Sequence, residues 1–130
     1  MALMEFREPN QVAWYGSRPA HRGTQVNKFN TSRNTTTILH TVAPGKTLFI
    51  SFFTCSLEFN AADVFADFFV RDTGDTLSYR IIQLTGEAVA SFLITANPNP
   101  PIEVPSGFDI ALLSSSTDVA IRVFIHGWEE

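Results

Sequence analysis

The chain has 130 residues, of which 45% are hydrophobic and 17% are charged. This length suits one domain, and the apolar content excludes a disordered chain, because enough apolar surface exists to offset the entropy lost on ordering. The formal net charge of −4 argues against a protein that mainly coats nucleic acid. No apolar stretch reaches the roughly 20 residues that a membrane-spanning helix needs.

Residues 1–34 form the first predicted segment, and their charge differs from that of the rest of the chain. They carry five basic and two acidic side chains, whereas residues 35–130 carry four basic and eleven acidic ones. The opening MALMEFREPN lacks the basic start and apolar core of a secretory leader. Because the segment has neither a helical nor a strand period, we predict an extended basic arm that orders against a neighbour. The alternative is an ordinary frayed terminus.

Short strands separated by turns make up the predicted body, residues 35–130. Turns are indicated where proline fixes φ and glycine accepts a positive φ, as in Ala43-Pro44-Gly45-Lys46. Apolar and polar residues alternate most clearly near the end of the chain. The predicted strands are Thr35–Thr41, Thr47–Leu57, Val64–Arg71, Thr76–Thr85, Glu87–Thr95, Ile102–Val104, Phe108–Ser115 and Asp118–His126.

About eight short strands without an amphipathic helix predict a β-sandwich or barrel. Val42-Ala43-Pro44-Gly45 and Val104-Pro105-Ser106-Gly107 each lead into an apolar strand, and two equivalent corners, one in each half, are typical of a double Greek key. We therefore predict an all-β jelly roll, a Greek-key β-sandwich over residues 35–130 that follows the arm of residues 1–34. An immunoglobulin-like sandwich stays open, although its Cys, Trp, Cys pattern is absent.

Twelve phenylalanines are a heavy apolar load for a small sandwich. The run Thr47–Leu57 is apolar on both predicted faces, whereas a strand with one solvated face should alternate. Surplus apolar surface usually means contact with another chain. The sequence therefore predicts self-association, with the interface residues Phe49, Phe53, Phe65 and Phe69. The alternative is that a bulge or the arm buries these side chains within one chain.

Two short motifs resemble catalytic signatures, and neither has the right surroundings. Asp72-Thr73-Gly74 matches the aspartic-protease triplet, but Arg71 separates it from the apolar strand, and a polar hairpin turn explains it. Gly45-Lys46-Thr47 matches the end of a phosphate-binding loop. That motif needs an earlier glycine where His40 stands, and it needs a following helix instead of a strand.

The sequence contains little that indicates a metal site, a cofactor site or a catalytic nucleophile. The three histidines, His21, His40 and His126, are not spaced as a pair. The single cysteine, Cys55, excludes an internal disulfide and a cysteine-based zinc site, and in an apolar strand it reads as a small buried hydrophobe. A calcium site remains open, since carboxylate oxygens suit a hard cation; its candidates are Asp63, Asp67, Asp72 and Asp75. We predict no enzyme activity and no cofactor.

The chain combines a leading arm, the turns VAPGKTLFI and IEVPSGFDI, and an alternating strand that closes on Ile125–Glu130. In these features it resembles the small jelly-roll head decoration (cement) proteins of tailed bacteriophages. The resemblance implies a structural virion protein that is made in the host cytoplasm and carried on the capsid surface. It also implies a homotrimer that clamps neighbouring subunits of the major capsid protein. It implies no catalytic residues, and no nucleic-acid, membrane or small-molecule partner.

The basic arm is the predicted contact with the capsid, because aromatic anchors dominate binding energy and arginines pair with acidic surface. Its predicted partner-binding residues are Arg7, Trp14, Tyr15, Arg18, Arg22 and Arg33. The alternative function is a carbohydrate-binding or receptor-binding jelly roll of a phage tail or baseplate. Exposed aromatic side chains on a concave sheet, with Asn and Asp nearby, would favour that alternative.

Overall fold

The computed structural model describes residues 23–130, apart from the side chains of residues 87 and 88. The secondary structure of this part of the chain consists of strands and turns, and it contains no helix long and apolar enough to cross a membrane. Its seven strands are β1 (Thr24–Arg33), β2 (Thr36–Thr41), β3 (Leu48–Arg71), β4 (Leu77–Ala96), β5 (Ile102–Val104), β6 (Asp109–Ser114) and β7 (Val119–Glu129).

The strands pair in nested antiparallel order. β1 pairs with β7 and β2 with β6, and inside these pairs β3 pairs with β5 at its beginning and with β4 over most of its length. Such nesting is what results when one long hairpin rolls up, which is the arrangement of a jelly roll. The sheet curls until it is nearly closed, like a barrel, and the predicted all-β jelly-roll class is confirmed.

The long strand β3 belongs to both halves of the sandwich. Its first part lies beside β7, from Leu48 opposite Glu129 to Phe59 opposite Val119. Its last part lies beside β6, from Ala66 opposite Ser114 to Arg71 opposite Asp109. Between them the register with β4 shifts, and Asp63 has a φ of 60°. We call the half with β1 and β7 the first sheet and the half with β2 and β6 the second sheet.

At two places where the sequence predicts a break between strands, the structure has one continuous strand. The predicted strands Thr47–Leu57 and Val64–Arg71 are both parts of β3, and Thr76–Thr85 and Glu87–Thr95 are both parts of β4. Gly86 sits within β4 because the ring of Phe59 occupies the space beside it. A Cβ on Gly86 would lie 2.5 Å from Cδ1 of that ring.

A bulge at Ser51 decides which face of β3 enters the core. Ile50 pairs with Gly127 and Phe52 with His126, so one extra residue switches the alternation. Phe52 consequently points outward, while Phe53 joins the core with 5% of its surface exposed. The bulge thus explains why the sequence of this strand is apolar on both predicted faces.

The core fills the space between the two sheets. In β7 the predicted alternation is confirmed, because Val119, Ile121, Val123 and Ile125 are fully buried. Ala66, Phe68 and Val70 of β3 face them from the second sheet and are also fully buried. The core-facing residues of both sheets thus form one continuous apolar layer.

The two similar turns that the sequence contains lie side by side. Val42 donates its backbone N–H to the carbonyl of Phe108 at 2.9 Å and accepts a hydrogen bond from the N–H of Gly107 at 3.1 Å. Gly45 donates its N–H to Oγ of Ser106 at 2.8 Å. Gly45 and Gly107 have φ values of 75° and 77°, a region that favours glycine. The two corners therefore stabilise each other at one end of the sandwich.

The sheet begins earlier than the predicted boundary at residue 34. Thr24–Arg33, predicted as part of the arm, forms the ten-residue strand β1, paired with β7 from Thr24 opposite Glu129 to Arg33 opposite Ala120. Only Val26 and Ser32 of this strand are buried. Because β1 lies at an edge and leaves its other side chains in water, its sequence lacks a strand period.

Candidate binding surfaces

The outward face of the first sheet carries a band of aromatic side chains, which we call the aromatic face: Phe29, Phe49, Phe52, Phe124 and Trp128. The rings of Phe49 and Trp128 stack, with centroids 5.3 Å apart and planes 14° apart. Phe52 and Phe124 meet edge to face at 6.4 Å. Both geometries are favourable for aromatic pairs. β3 and β7 bring these pairs together because their registered residues share a face.

Phe29 is the most exposed member of the aromatic face, with 65% of its surface accessible. It lies in β1 directly opposite Phe124 of β7. Nearby on the same two strands, Asn27 Oδ1 lies 2.5 Å from His126 Nδ1. An exposed ring beside an amide and an imidazole can supply both stacking and hydrogen bonds to a ligand.

Charged groups lie farther along the same face. Arg122 Nη2 is 3.7 Å from Oε1 of Glu58, and both side chains are well exposed. Arg33, the one predicted arm residue within the described part of the chain, donates from Nη1 to the carbonyl of Thr117 at 2.6 Å. This contact holds β1 against the turn before β7, so Arg33 has a structural partner within its own chain.

The other predicted arm residues, Arg7, Trp14, Tyr15, Arg18 and Arg22, lie outside the described residues, as does His21. Their predicted contacts with a capsid therefore remain predictions.

The predicted interface phenylalanines do not form one exposed patch. Phe53 packs edge to face on Phe68 in the core, with ring centroids 5.3 Å apart, and Phe69 is only 9% exposed. Phe49 and Phe65 are half-buried. Phe53 and Phe69 are therefore not available for contact with another chain, and for Phe53 the reason is the bulge at Ser51.

The outward face of the second sheet carries a buried carboxylate. Asp67 of β3 is 4% exposed, and its Oδ2 lies 3.4 Å from Nε of Arg80. Its Oδ1 has no hydrogen-bond partner within the described residues. Arg71, four residues after Asp67, forms an ion pair with Asp109, in which its Nε lies 3.1 Å from Oδ2. These ion pairs connect β3 to β4 on one side and to β6 on the other.

The groups that could carry chemistry are dispersed. Burial raises the pKa of the Cys55 thiol to about 12, so this thiol is protonated at neutral pH and is a poor nucleophile. His40 and Glu129 form a close pair between strands, whereas His126 lies on the aromatic face. Within residues 23–130, no three His, Cys, Asp or Glu side chains come close enough together to hold a metal ion.

Sequence reasoning missed one surface, the edge of β4 that no other described strand pairs with. β4 pairs with β3 along one edge, and within residues 23–130 no strand pairs with its other edge. Val89 and Leu93 on this strand are 83% and 74% exposed, and Phe92 is 42% exposed. The uncharged sequence of residues 88–96 was the available signal. Its meaning depends on which strands neighbour it, and that is a property of the fold.

Comparison with known proteins adds no functional assignment: no protein-family profile matches the chain, and no curated protein shows a significant match.

Proposed function

We propose that this chain is a structural virion protein that decorates the head of a tailed bacteriophage and stabilises its shell. The observation that carries this proposal is the apolar surface left exposed on β4, where Val89 and Leu93 are 83% and 74% accessible. Exposed apolar side chains close together on one strand of a small domain favour a contact with another protein. A jelly roll with such surface suits a building block of an assembly.

The basic arm provides the second contact in this proposal. Arg7, Arg18 and Arg22 precede β1 in the sequence, and β1 begins with Thr24 opposite Glu129. In this proposal the arm docks on acidic surface of the major capsid protein. Trp14 and Tyr15 would supply its aromatic anchors. Binding at many sites on the assembled shell stabilises that shell by mass action.

Co-sedimentation of the full-length chain with expanded head shells of the virus that encodes it tests the proposal. We expect saturable binding that weakens as salt is raised, because arginine contacts are screened. Trp14→Ala should reduce the bound fraction, whereas Phe29→Ala, which changes the aromatic face, should leave it unchanged. No binding of the unmodified chain to shells would refute the proposal.

The aromatic face favours a second candidate function, a carbohydrate-binding or receptor-binding module of a phage tail or baseplate. Phe29 is exposed, and Asn27 and His126 lie near it with hydrogen-bonding groups. Rings of this kind stack on the apolar faces of sugars. Binding to an array of bacterial surface glycans, lost in Phe29→Ala and retained in Trp14→Ala, would support this function. The two variants thus give opposite results for the two functions.

A further inference from the structure

The outer edge of β4 offers backbone hydrogen-bonding groups to another strand. β3 pairs with β4 from Arg71 opposite Leu77 to Phe53 opposite Ala96, and within residues 23–130 the other edge of β4 has no strand beside it. A long unpaired edge is a ready template for a strand from another chain.

The second half of this edge lacks the features that normally prevent such pairing. Natural edge strands are protected by charged side chains, prolines or bulges. Residues 88–96, AVASFLITA, contain no charged residue and no proline, and their register with β3 is unbroken from Ala61 opposite Ala88 to Phe53 opposite Ala96. By contrast, the first half of β4 carries Arg80, and the strand register shifts there. The exposed half is therefore the half suited to pairing.

The sequence of this half is complementary to itself. When two copies of the strand run antiparallel with Ser91 at the centre, residues whose numbers are symmetric about 91 lie opposite each other. Val89 then lies opposite the partner's Leu93, and Ala90 lies opposite the partner's Phe92. The first pair brings together the two most exposed aliphatic side chains of the strand, and the second sets a large ring against a small side chain. Cross-strand pairs of this kind stabilise a sheet.

We propose that this edge of β4 binds a second copy of the chain, antiparallel and centred on Ser91, so that one sheet continues through both copies. The contact is isologous and closes with two copies. It therefore gives a dimer, unlike the trimer that the phage resemblance implies. Self-pairing uses the exposed β4 residues that also support the function proposed above, whereas docking of the arm on a shell uses other residues. The solution mass therefore tests the self-pairing, and co-sedimentation with shells tests the function separately.

The molar mass of the full-length chain in solution, measured by light scattering over a range of concentrations, tests the dimer. We expect twice the chain mass. Leu93→Lys should reduce it to the mass of one chain, because each copy would place an ammonium group opposite the partner's Val89. Leu77→Lys is the matched control on the same strand. Residue 77 lies outside the self-paired segment, so this variant should remain dimeric.

Three results of that measurement would overturn the proposal. One is a mass of a single chain for the unmodified protein, which is also the result if residues 1–22 of the same chain cover the edge. Another is a mass of three chains. The last is a Leu93→Lys variant that remains dimeric.

Disulfide trapping tests the register. In an antiparallel pair, opposite Cα atoms are about 4.5 or 5.5 Å apart, and both separations fit a disulfide. Ser91→Cys, at an exposed position, should therefore form a covalent dimer under mild oxidation. Cys55 is buried and does not compete. Thr95→Cys is the control, since its two copies would lie far apart along the strands. Failure of Ser91→Cys to cross-link, or equal cross-linking at position 95, would refute the centre at Ser91.

Discussion

The Nε2 atom of His40 lies 2.6 Å from Oε2 of Glu129, and this pair joins β2 of the second sheet to β7 of the first. The same carboxylate oxygen accepts a hydrogen bond from the N–H of Ala43 at 3.3 Å. Both side chains are largely shielded from water, with exposures of 14% and 9%. The pair therefore links the two sheets at the end of the sandwich where the chain turns from β2 towards β3.

Removing the interaction between His40 and Glu129 should destabilise the fold. Within the described residues, His40→Ala leaves the buried Glu129 side chain with the Ala43 N–H as its remaining partner. We therefore expect the free energy of unfolding to fall by about 1–3 kcal/mol. Urea denaturation followed by tryptophan fluorescence measures the change. His126→Ala is the control, because the His126 pair with Asn27 is exposed. An equal loss in both variants would contradict this role for the buried pair.

Asp67 and Arg80 should respond unequally to substitution. Asp67→Asn removes a buried charge with an unpaired oxygen and leaves Arg80, which is 46% exposed, in contact with water. We expect its free energy of unfolding to change by less than about 1 kcal/mol or to rise. Arg80→Met instead leaves the buried Asp67 carboxylate without its partner, so it should lose about 1–3 kcal/mol. Thermal denaturation of both variants checks the difference, and a larger loss in Asp67→Asn would contradict it.

Gly127 should not tolerate a side chain. A Cβ at this position would lie 2.0 Å from the carbonyl oxygen of Phe49 and 3.1 Å from Cα of Ile50, and these backbone atoms cannot move aside without breaking the β3–β7 ladder. We expect Gly127→Ala to cost about 3 kcal/mol or more, or to prevent folding. Gly74→Ala is the control, because its nearest contact would be a side-chain oxygen at 3.4 Å. Circular dichroism and thermal denaturation compare the two.

The Cys55 thiol should make stability fall at alkaline pH. Burial raises its pKa from an ordinary 9.0 to about 12, so the unfolded chain releases this proton at lower pH than the folded one. Its contribution is complete below about pH 9 and is lost as the pH rises towards 12. Burial also raises the pKa of Tyr79, which acts in the same direction. Cys55→Val should show a shallower fall of the unfolding free energy in this range; an identical pH profile would contradict the assignment.

The same burial predicts slow thiol chemistry. In the folded chain at pH 8, Cys55 should react with a thiol reagent far more slowly than in urea-unfolded chain, because it is both inaccessible and protonated. Ser91→Cys provides an exposed thiol for comparison, at a position on β4 that is open to solvent. Equal labelling rates at the two positions would show that the core around Cys55 opens readily.

The sequence predicts the fold well where the two faces of a strand differ. In β7, four β-branched residues alternate with residues of other kinds, among them Arg122 and His126, and this contrast identifies the core face. The four are Val119, Ile121, Val123 and Ile125. The two similar turns at Pro44 and Pro105 likewise indicate the double Greek key. Both signals come from residues close together in the sequence, so they can be recognised without knowing which strands pair.

Other features depend on contacts between distant residues. The bulge at Ser51 adds one residue to the alternation, and only the partner strand β7 reveals it. β1 buries just two of its ten residues, so its membership in the sheet follows from pairing and leaves little trace in its composition. Phe53 and Phe69 were predicted to lie at an interface because the sequence does not show that they are buried within the domain. The outer edge of β4 was missed for a related reason, since nothing in a strand's own sequence states which side has a neighbour.

The nested pairing of strands also has a consequence for how the chain folds. β3 and β4 are consecutive and meet through the turn at Asp72–Asp75, so their hairpin closes a short loop. Among the described strands, β1 pairs with β7 alone, and Thr24 lies opposite Glu129. Closing so long a loop before any contact rewards it is slow. Pairing of β1 with β7 therefore requires nearly all of the described chain, and the central hairpin of β3 and β4, whose strands are consecutive, is the pair that we expect to form first.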